Sequence, residues 1–264
     1  MLLPRVLSAI VMALLFIYAV FVLEASSFQF AMGGVVLLAG WEWARLSGLE
    51  GQQGRIAYAG LVVTLCYGAA LFELQRFLLM VAPVLWLIAL FWVISYPDER
   101  GWQSRFARMV FGLLILLTTW CALVVLRESS NFVLWILLLM GLIWGADSGA
   151  YFSGKAFGKR KLAPAVSPGK SWEGVIGGMV LTQIGVAVFV FYSDLNWLAL
   201  SMLALVTVIT SVLGDLTESL FKRHESLKDS SHLIPGHGGV MDRVDSLTSA
   251  APIYVLLLCL VGWV

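Results

Sequence analysis

Met109–Leu126, MVFGLLILLTTWCALVVL, runs for 18 residues with no charge, and Thr118 and Thr119 are its only hydroxyl side chains. A helix needs about 20 mostly apolar residues to cross roughly 30 Å of hydrocarbon, so the stretch reads as a membrane span. The pattern recurs outward in both directions. Apolar runs of similar length cover 6–23, 28–46, 56–74 and 77–96 before it, and 132–152, 175–192, 195–213 and 247–264 after it. Only Gln75 and Arg76 separate the third run from the fourth. The expected fold is therefore all-α: a polytopic integral membrane protein of about nine transmembrane helices forming a single membrane-embedded domain, 1–264. Residues 1–130 supply N-terminal helices, and 131–264 hold most of the polar chemistry. The first run could also serve as a signal peptide, but its apolar core is longer than usual for one, and it is read as a retained helix.

Composition agrees. Of 264 residues, 60% are hydrophobic and 12% charged, far from the mix of a soluble domain. A net charge of +1 supplies no basic stripe, which argues against nucleic acid as a partner. Cys66, Cys121 and Cys259 lie singly in apolar runs and read as small buried residues. The tryptophans read as an interfacial belt. Small-residue helix faces would permit a homodimer.

Nine crossings place the termini on opposite sides. With the N-terminus inside, fifteen of the 17 Lys and Arg residues fall in inner segments, leaving only Arg76 and Arg127 outside. That asymmetry orients the chain with its N-terminus and its charged loops in the cytoplasm.

Two charged segments break the apolar pattern. The first is 215–245, DLTESLFKRHESLKDSSHLIPGHGGVMDRVD. If the helix of the preceding run continues, Asp215, Glu218, Ser219 and Lys222 share one face at i, i+3, i+4 and i+7. Acids at membrane depth are costly and mark functional sites. The alternative is an Asp215–Lys222 or Glu218–Lys222 pair that only neutralises a helix end. Downstream, PGHGG can bend and approach a ligand closely, and Asp242 and Asp245 lie on one side of the next helix's start with Arg243 between them. Acids on two helices offer oxygen-only ligands, which suit Mg²⁺ held together with substrate phosphates, and the lysines and arginines suit phosphate.

The second segment is 144–177, WGADSGAYFSGKAFGKRKLAPAVSPGKSWEGVIG. Asp147 falls inside an apolar helix. Lys155 and Lys159–Lys161 read in part as a membrane-surface anchor, and Ser167 to Ser171 could offer donors to a polyphosphate, although the spacing is not that of a P-loop. Glu42 and Arg45 read as a local helix-end pair, His232 as a loop histidine without zinc spacing, and His224 as solvated.

Ser219-x-x-Lys222-Arg223-x4-Lys228-Asp229, followed by Pro235-x-His237-Gly238-Gly239-x-x-Asp242-Arg243-x-Asp245, closely resembles the signature of the phosphatidate cytidylyltransferases, or CDP-diacylglycerol synthases. The resemblance covers the C-terminal half in motif detail. It implies transfer of the cytidylyl group of CTP to phosphatidic acid, with pyrophosphate released, at the inner membrane's cytoplasmic face. It further implies Asp215 and Asp242 as Mg²⁺ ligands, with a second cation towards Asp245. Lys222, Arg223 and Arg243 would bind phosphates. Asp147, Lys155, Ser167 and Lys170 would serve the CTP side, while His237, Gly238 and Gly239 would shape a loop over the phosphates. The rival readings are a CTP-dependent lipid kinase of the polyprenol type and an anion transporter.

Overall fold

The computed structural model describes residues 3–264. In chain order it comprises α1 (Leu3–Phe21), α2 (Ala25–Leu46), α3 (Gln52–Leu71), α4 (Gln75–Leu79), α5 (Ala82–Ser95), α6 (Arg105–Glu128), α7 (Phe132–Phe157), the strands β1 (Lys161–Ala163) and β2 (Ser167–Ser171), then α8 (Trp172–Phe191), α9 (Trp197–His224) and α10 (Met241–Val261). Among the described residues, eight segments are long and apolar enough to cross a membrane, with Gln75–Ser95 counted as one. α2, which carries Gln29, Glu42 and Arg45, is a further long helix beside these eight. The expected span 77–96 is broken between Leu79 and Ala82, where Pro83 sits in the first turn of α5. A proline is tolerated there because that turn's N–H groups have no intrahelical partner.

The stretch that opens the sequence reading forms the centre. α6 packs against α2, α3, α4, α5, α7 and α10 and is the most deeply buried span. Its two threonines are not idle. Pro252 lies inside α10 and has no N–H for the carbonyl of Thr248, four residues back. The hydroxyl of Thr119 stands 3.1 Å from that carbonyl and 2.6 Å from its own Ile115 carbonyl, so its one hydrogen is shared between them and α6 partly replaces the donor that α10 lacks. In hydrocarbon no water could do so.

Tryptophans depart from the expected belt. Trp43, Trp86, Trp92, Trp102, Trp120 and Trp135 are buried, and several close on Phe111 and Phe221: Trp92 to Phe111 at 4.9 Å, Trp43 to Phe221 at 5.0 Å. Aromatic rings give a helix bundle large contact areas and preferred edge-on geometries, which outweighed the interface preference here. Cys66 and Cys121 are buried and all three cysteines are free, as expected.

Contacts sort the connections onto two faces. On one, Gly236 meets Arg5, Ser47 and Gln103 accept from Arg108, Glu99 meets His224, and Val166 meets Arg223. On the other, Arg127 donates to the Leu23 carbonyl at 2.8 Å and Arg76 lies beside Cys259. Arg5, Arg108 and Arg223, three of the basic residues expected on one side of the membrane, thus lie on one face, and Arg76 and Arg127 lie on the other.

Candidate active site

α9 continues as helix to His224, well past the end of its apolar run at Leu213. Phe221, packed edge-on against Trp43 and Trp102, anchors its polar end. Asp215, Glu218, Ser219 and Lys222 therefore share a face, as their spacing predicts. Lys222 donates to Glu218 and to Asp242 Oδ1, the latter at 2.8 Å. Glu218 is 1% exposed, and its Oε1 is buried without a hydrogen-bond partner. Lys170 reaches in from β2, its Nζ 2.8 Å from Asp215 Oδ2, and the Ser219 hydroxyl donates to Asp215 Oδ1 at 3.3 Å. Asp245, one turn along α10 from Asp242, has Asp215, Lys222 and Lys170 as neighbouring charges. Asp147 of α7 lies near Lys170 and Asp215. The outcome is a cluster of acids and lysines built from four elements. Among the described residues no three His, Cys, Asp or Glu side chains form a ready metal cage.

Asp242 plays a second part. Its Oδ2 accepts from the Ser230 N–H at 2.9 Å, the Ser230 hydroxyl at 2.8 Å and the Gly239 N–H at 2.8 Å. One oxygen is thus filled by the loop between α9 and α10 and the other holds Lys222. The expected pairing of Asp215 with Asp242 around an ion finds Asp242 engaged in this way. Asp245 is the acid of α10 that faces Asp215 electrostatically.

Gly239 is squeezed against the same loop. A Cβ there would stand 2.1 Å from Ser230 Oγ and 2.5 Å from Glu42 Oε1, so only glycine fits. The loop glycines, expected over phosphates, wrap two carboxylates. Beyond them the loop opens into a polar cavity of about 490 Å³ whose walls include Lys228, Asp229, His237, Gly238 and Arg243.

The other segment folds differently from a phosphate loop. β1 and β2 form an antiparallel hairpin, with Lys161 opposite Ser171 and Ala163 opposite Ser167, and Ser171 caps α8 by accepting from the Gly174 N–H. Glu173 accepts from the Lys159 and Arg160 N–H groups at 3.1 and 3.2 Å. Of this segment's expected site residues, Asp147 and Lys170 join the cluster. Ser167 is taken up in the hairpin, and Lys155 lies over the Tyr151 ring at 5.9 Å. Arg223 Nε donates to the Val166 carbonyl at 3.2 Å, tying the hairpin to the end of α9.

Residues 3–261 match the cytidylyltransferase family. The chain belongs to that family. It is 48% identical over 270 residues to the phosphatidate cytidylyltransferase of Pseudomonas aeruginosa, covering 100% of this chain and 99% of that one. It is 41% identical to the protein of that name from Haemophilus influenzae, over 96% of this chain and 97% of its relative, and 33% identical to the one from Brucella suis, over 96% and 91%. The likeness therefore extends through the N-terminal helices, which the motifs alone do not reach.

One of those helices carries a residue that sequence reasoning misjudged. Glu42 is fully buried and accepts from the Val240 N–H at 3.0 Å, the Met241 N–H at 2.6 Å and the hydroxyls of Ser230 and Ser231. Arg45 does not pair with it; its Nη1 donates to the Ser230 carbonyl at 2.9 Å. Both residues hold the active loop, and a charge so deep in an apolar run was the available signal. His224 is likewise not solvated. Its Nδ1 donates to Glu99 at 2.7 Å, its Nε2 faces the Arg108 guanidinium, and Arg108 pairs with Glu225 at 3.0 Å.

Proposed function

We propose that this protein transfers the cytidylyl group of CTP to phosphatidic acid, giving CDP-diacylglycerol and pyrophosphate for phospholipid synthesis, at the cytoplasmic face of the inner membrane. The observation that carries the reading is the meeting of Lys170, Lys222, Asp215, Glu218, Asp242 and Asp245 where the polar C-terminal part of α9 meets the start of α10. Cations of the kind that suit phosphate and acids of the kind that suit a hard metal ion stand together there, which supports a site that takes a lipid head group and a nucleotide. The full-length similarity to proteins named for the reaction supports it, and the basic residues on that face support the orientation.

With Asp147 counted, five carboxylates beside two ammonium groups leave the cluster formally three negative charges in excess. An all-oxygen set with an orphaned buried Glu218 Oε1 fits a hard cation such as Mg²⁺. Asp215 and Asp245 would hold it, with Asp242 beside Lys222 and any second cation lying towards Glu218. Such an ion, when bound, would supply charge neutralisation for the triphosphate. In the reaction, a phosphatidate phosphate oxygen forms a bond to the α-phosphorus of CTP and the bond from that phosphorus to the β-phosphate oxygen breaks, its electron pair leaving with pyrophosphate. Such transfers depend chiefly on positioning and charge compensation. Lys170 and Asp147 face the nucleotide side, Lys222 stands between the two helices to meet developing charge, and Arg223 and Arg243 receive phosphate oxygens at the rim.

Purified protein incubated with phosphatidate, Mg²⁺ and CTP labelled in either the α- or the γ-phosphate tests the reading. Label from the α position enters lipid with an equal yield of pyrophosphate, and chelation with EDTA stops it. Lipid labelled from the γ position would show a kinase instead.

A further inference from the structure

The polar cavity beyond the loop has a wall that the signature residues do not supply. Arg5, in the first turn of α1, lines it beside Lys228, Asp229, His237 and Arg243. Three cations against one acid make the space formally positive, suited to an anion. The approach of α1 is close: Gly236 has φ +76°, and a Cβ on it would meet Arg5 Cγ at 2.6 Å. Glycine is needed there both for the left-handed backbone and for the contact.

Ser8, on the next turn, fixes the histidine of the signature. Its Oγ lies 2.7 Å from His237 Nδ1, with the carbonyls of Pro4, Pro235 and Arg5 at 2.8, 3.0 and 3.2 Å. A hydroxyl has one hydrogen to give and two lone pairs. Three carbonyls compete for that hydrogen, so towards His237 the serine accepts, Nδ1 carries the proton, and Nε2 is the ring nitrogen left for a ligand. These contacts are notable because α1 is otherwise the least buried span. Its main packing is on α2 and α7, with Phe16 edge-on to Trp144 at 5.6 Å, while Leu3, Val6 and Leu7 are exposed where acyl chains can lie against them.

We propose that the cavity receives the phosphate monoester of the lipid substrate, that Arg5 is one of its ligands, and that Ser8 positions His237 towards the same phosphate. The proposal rests on phosphatidate being the acceptor. Gly238 lines the cavity, and a Cβ on it would stand 2.7 Å from Asp242 Oδ2, so a phosphate there would border the acid–lysine cluster. An anchor on α1 sets the lipid phosphate at the bilayer surface, with its chains beside the exposed face of that helix.

The test uses the full-length enzyme in detergent micelles, with Arg5→Ala, Arg5→Lys, Ser8→Ala and Ser8→Thr. Kinetics should show KM for phosphatidate raised about tenfold or more in Arg5→Ala and about threefold in Ser8→Ala, with KM for CTP within about twofold and substantial rescue by the lysine and threonine variants. A rise in KM for CTP alone would give the cavity to the triphosphate and overturn the proposal. So would a loss of kcat with both KM values unchanged, which would make α1 merely structural. Equilibrium binding of short-chain phosphatidate, with diacylglycerol of the same chains and inorganic phosphate as controls, needs no turnover. Phosphatidate binding lost in Arg5→Ala supports the proposal even if CDP-lipid never forms, in which case the reaction assigned above fails alone. Equal phosphatidate binding by wild type and Arg5→Ala, no phosphatidate binding by either, or equally tight binding of inorganic phosphate defeats it.

Discussion

Lys222 faces Glu218 and Asp242 with side chains 1% and 5% exposed. Removing the cation from two nearly buried acids is costly because each keeps its desolvation penalty without its partner. Lys222→Ala should destabilise by about 3–5 kcal/mol, read as a lower thermal midpoint in detergent, and should abolish turnover. Adding Glu218→Gln should recover part of the midpoint and none of the activity; recovered turnover would show that Lys222 is structural. Glu42 gives a second prediction. Glu42→Ala strips the Val240 and Met241 N–H groups and the Ser231 hydroxyl of their acceptor, while the Ser230 hydroxyl keeps Asp242, and should cost about 2–4 kcal/mol, whereas Glu42→Gln, which keeps one acceptor oxygen, should cost less. The face shared by Asp215, Glu218, Ser219 and Lys222 was legible because helical periodicity is local. Glu42 was misread because its partners lie about 190 residues away in sequence, and no spacing rule encodes such a distance.

Among the elements, one hydroxyl adds a hydrogen bond to the packing of α6 on α10. Thr119→Val preserves shape and removes the donor to Thr248, so it should lower stability by about 1 kcal/mol, while Thr119→Ser should be closer to wild type. Thermal unfolding monitored by aggregation or tryptophan fluorescence checks this. Existence and order of the long helices were readable from apolar runs, and the spacing of charges pointed to helix beyond the runs in α9 and at the start of α10, but hydropathy alone did not mark the inner ends. α7 runs to Phe157 and α9 to His224, and α10 begins at Met241, six residues before its apolar run. Hydropathy marks where hydrocarbon ends, whereas helix hydrogen bonding continues into polar sequence as long as neighbours support it. The hairpin of β1 and β2 escaped for a related reason: strands of three and five residues are too short to show alternation, and Pro and Gly within them read as loop.

At the scale of the molecule, two faces separate the charges. Single cysteines placed on a cysteine-free background at Lys159, on the rich face, and Glu73, on the poor one, should react with an impermeant maleimide from opposite sides of sealed vesicles. The Lys159 position should be labelled only from the cytoplasmic side, and labelling from the other side would invert the orientation. Charge asymmetry made this sorting visible in sequence. The proximity of α1 to the loop before α10 was invisible there, because a helix with an apolar surface all round gives no hint of which end touches what.

Glu42 also fixes an order of events during synthesis. α2 is threaded into the membrane early and carries an acid whose four donors arrive only with residues 230–241. Until residues 230–241 have been made, that carboxylate has none of these partners, so the loop it holds can close on it only after α9 has been synthesised.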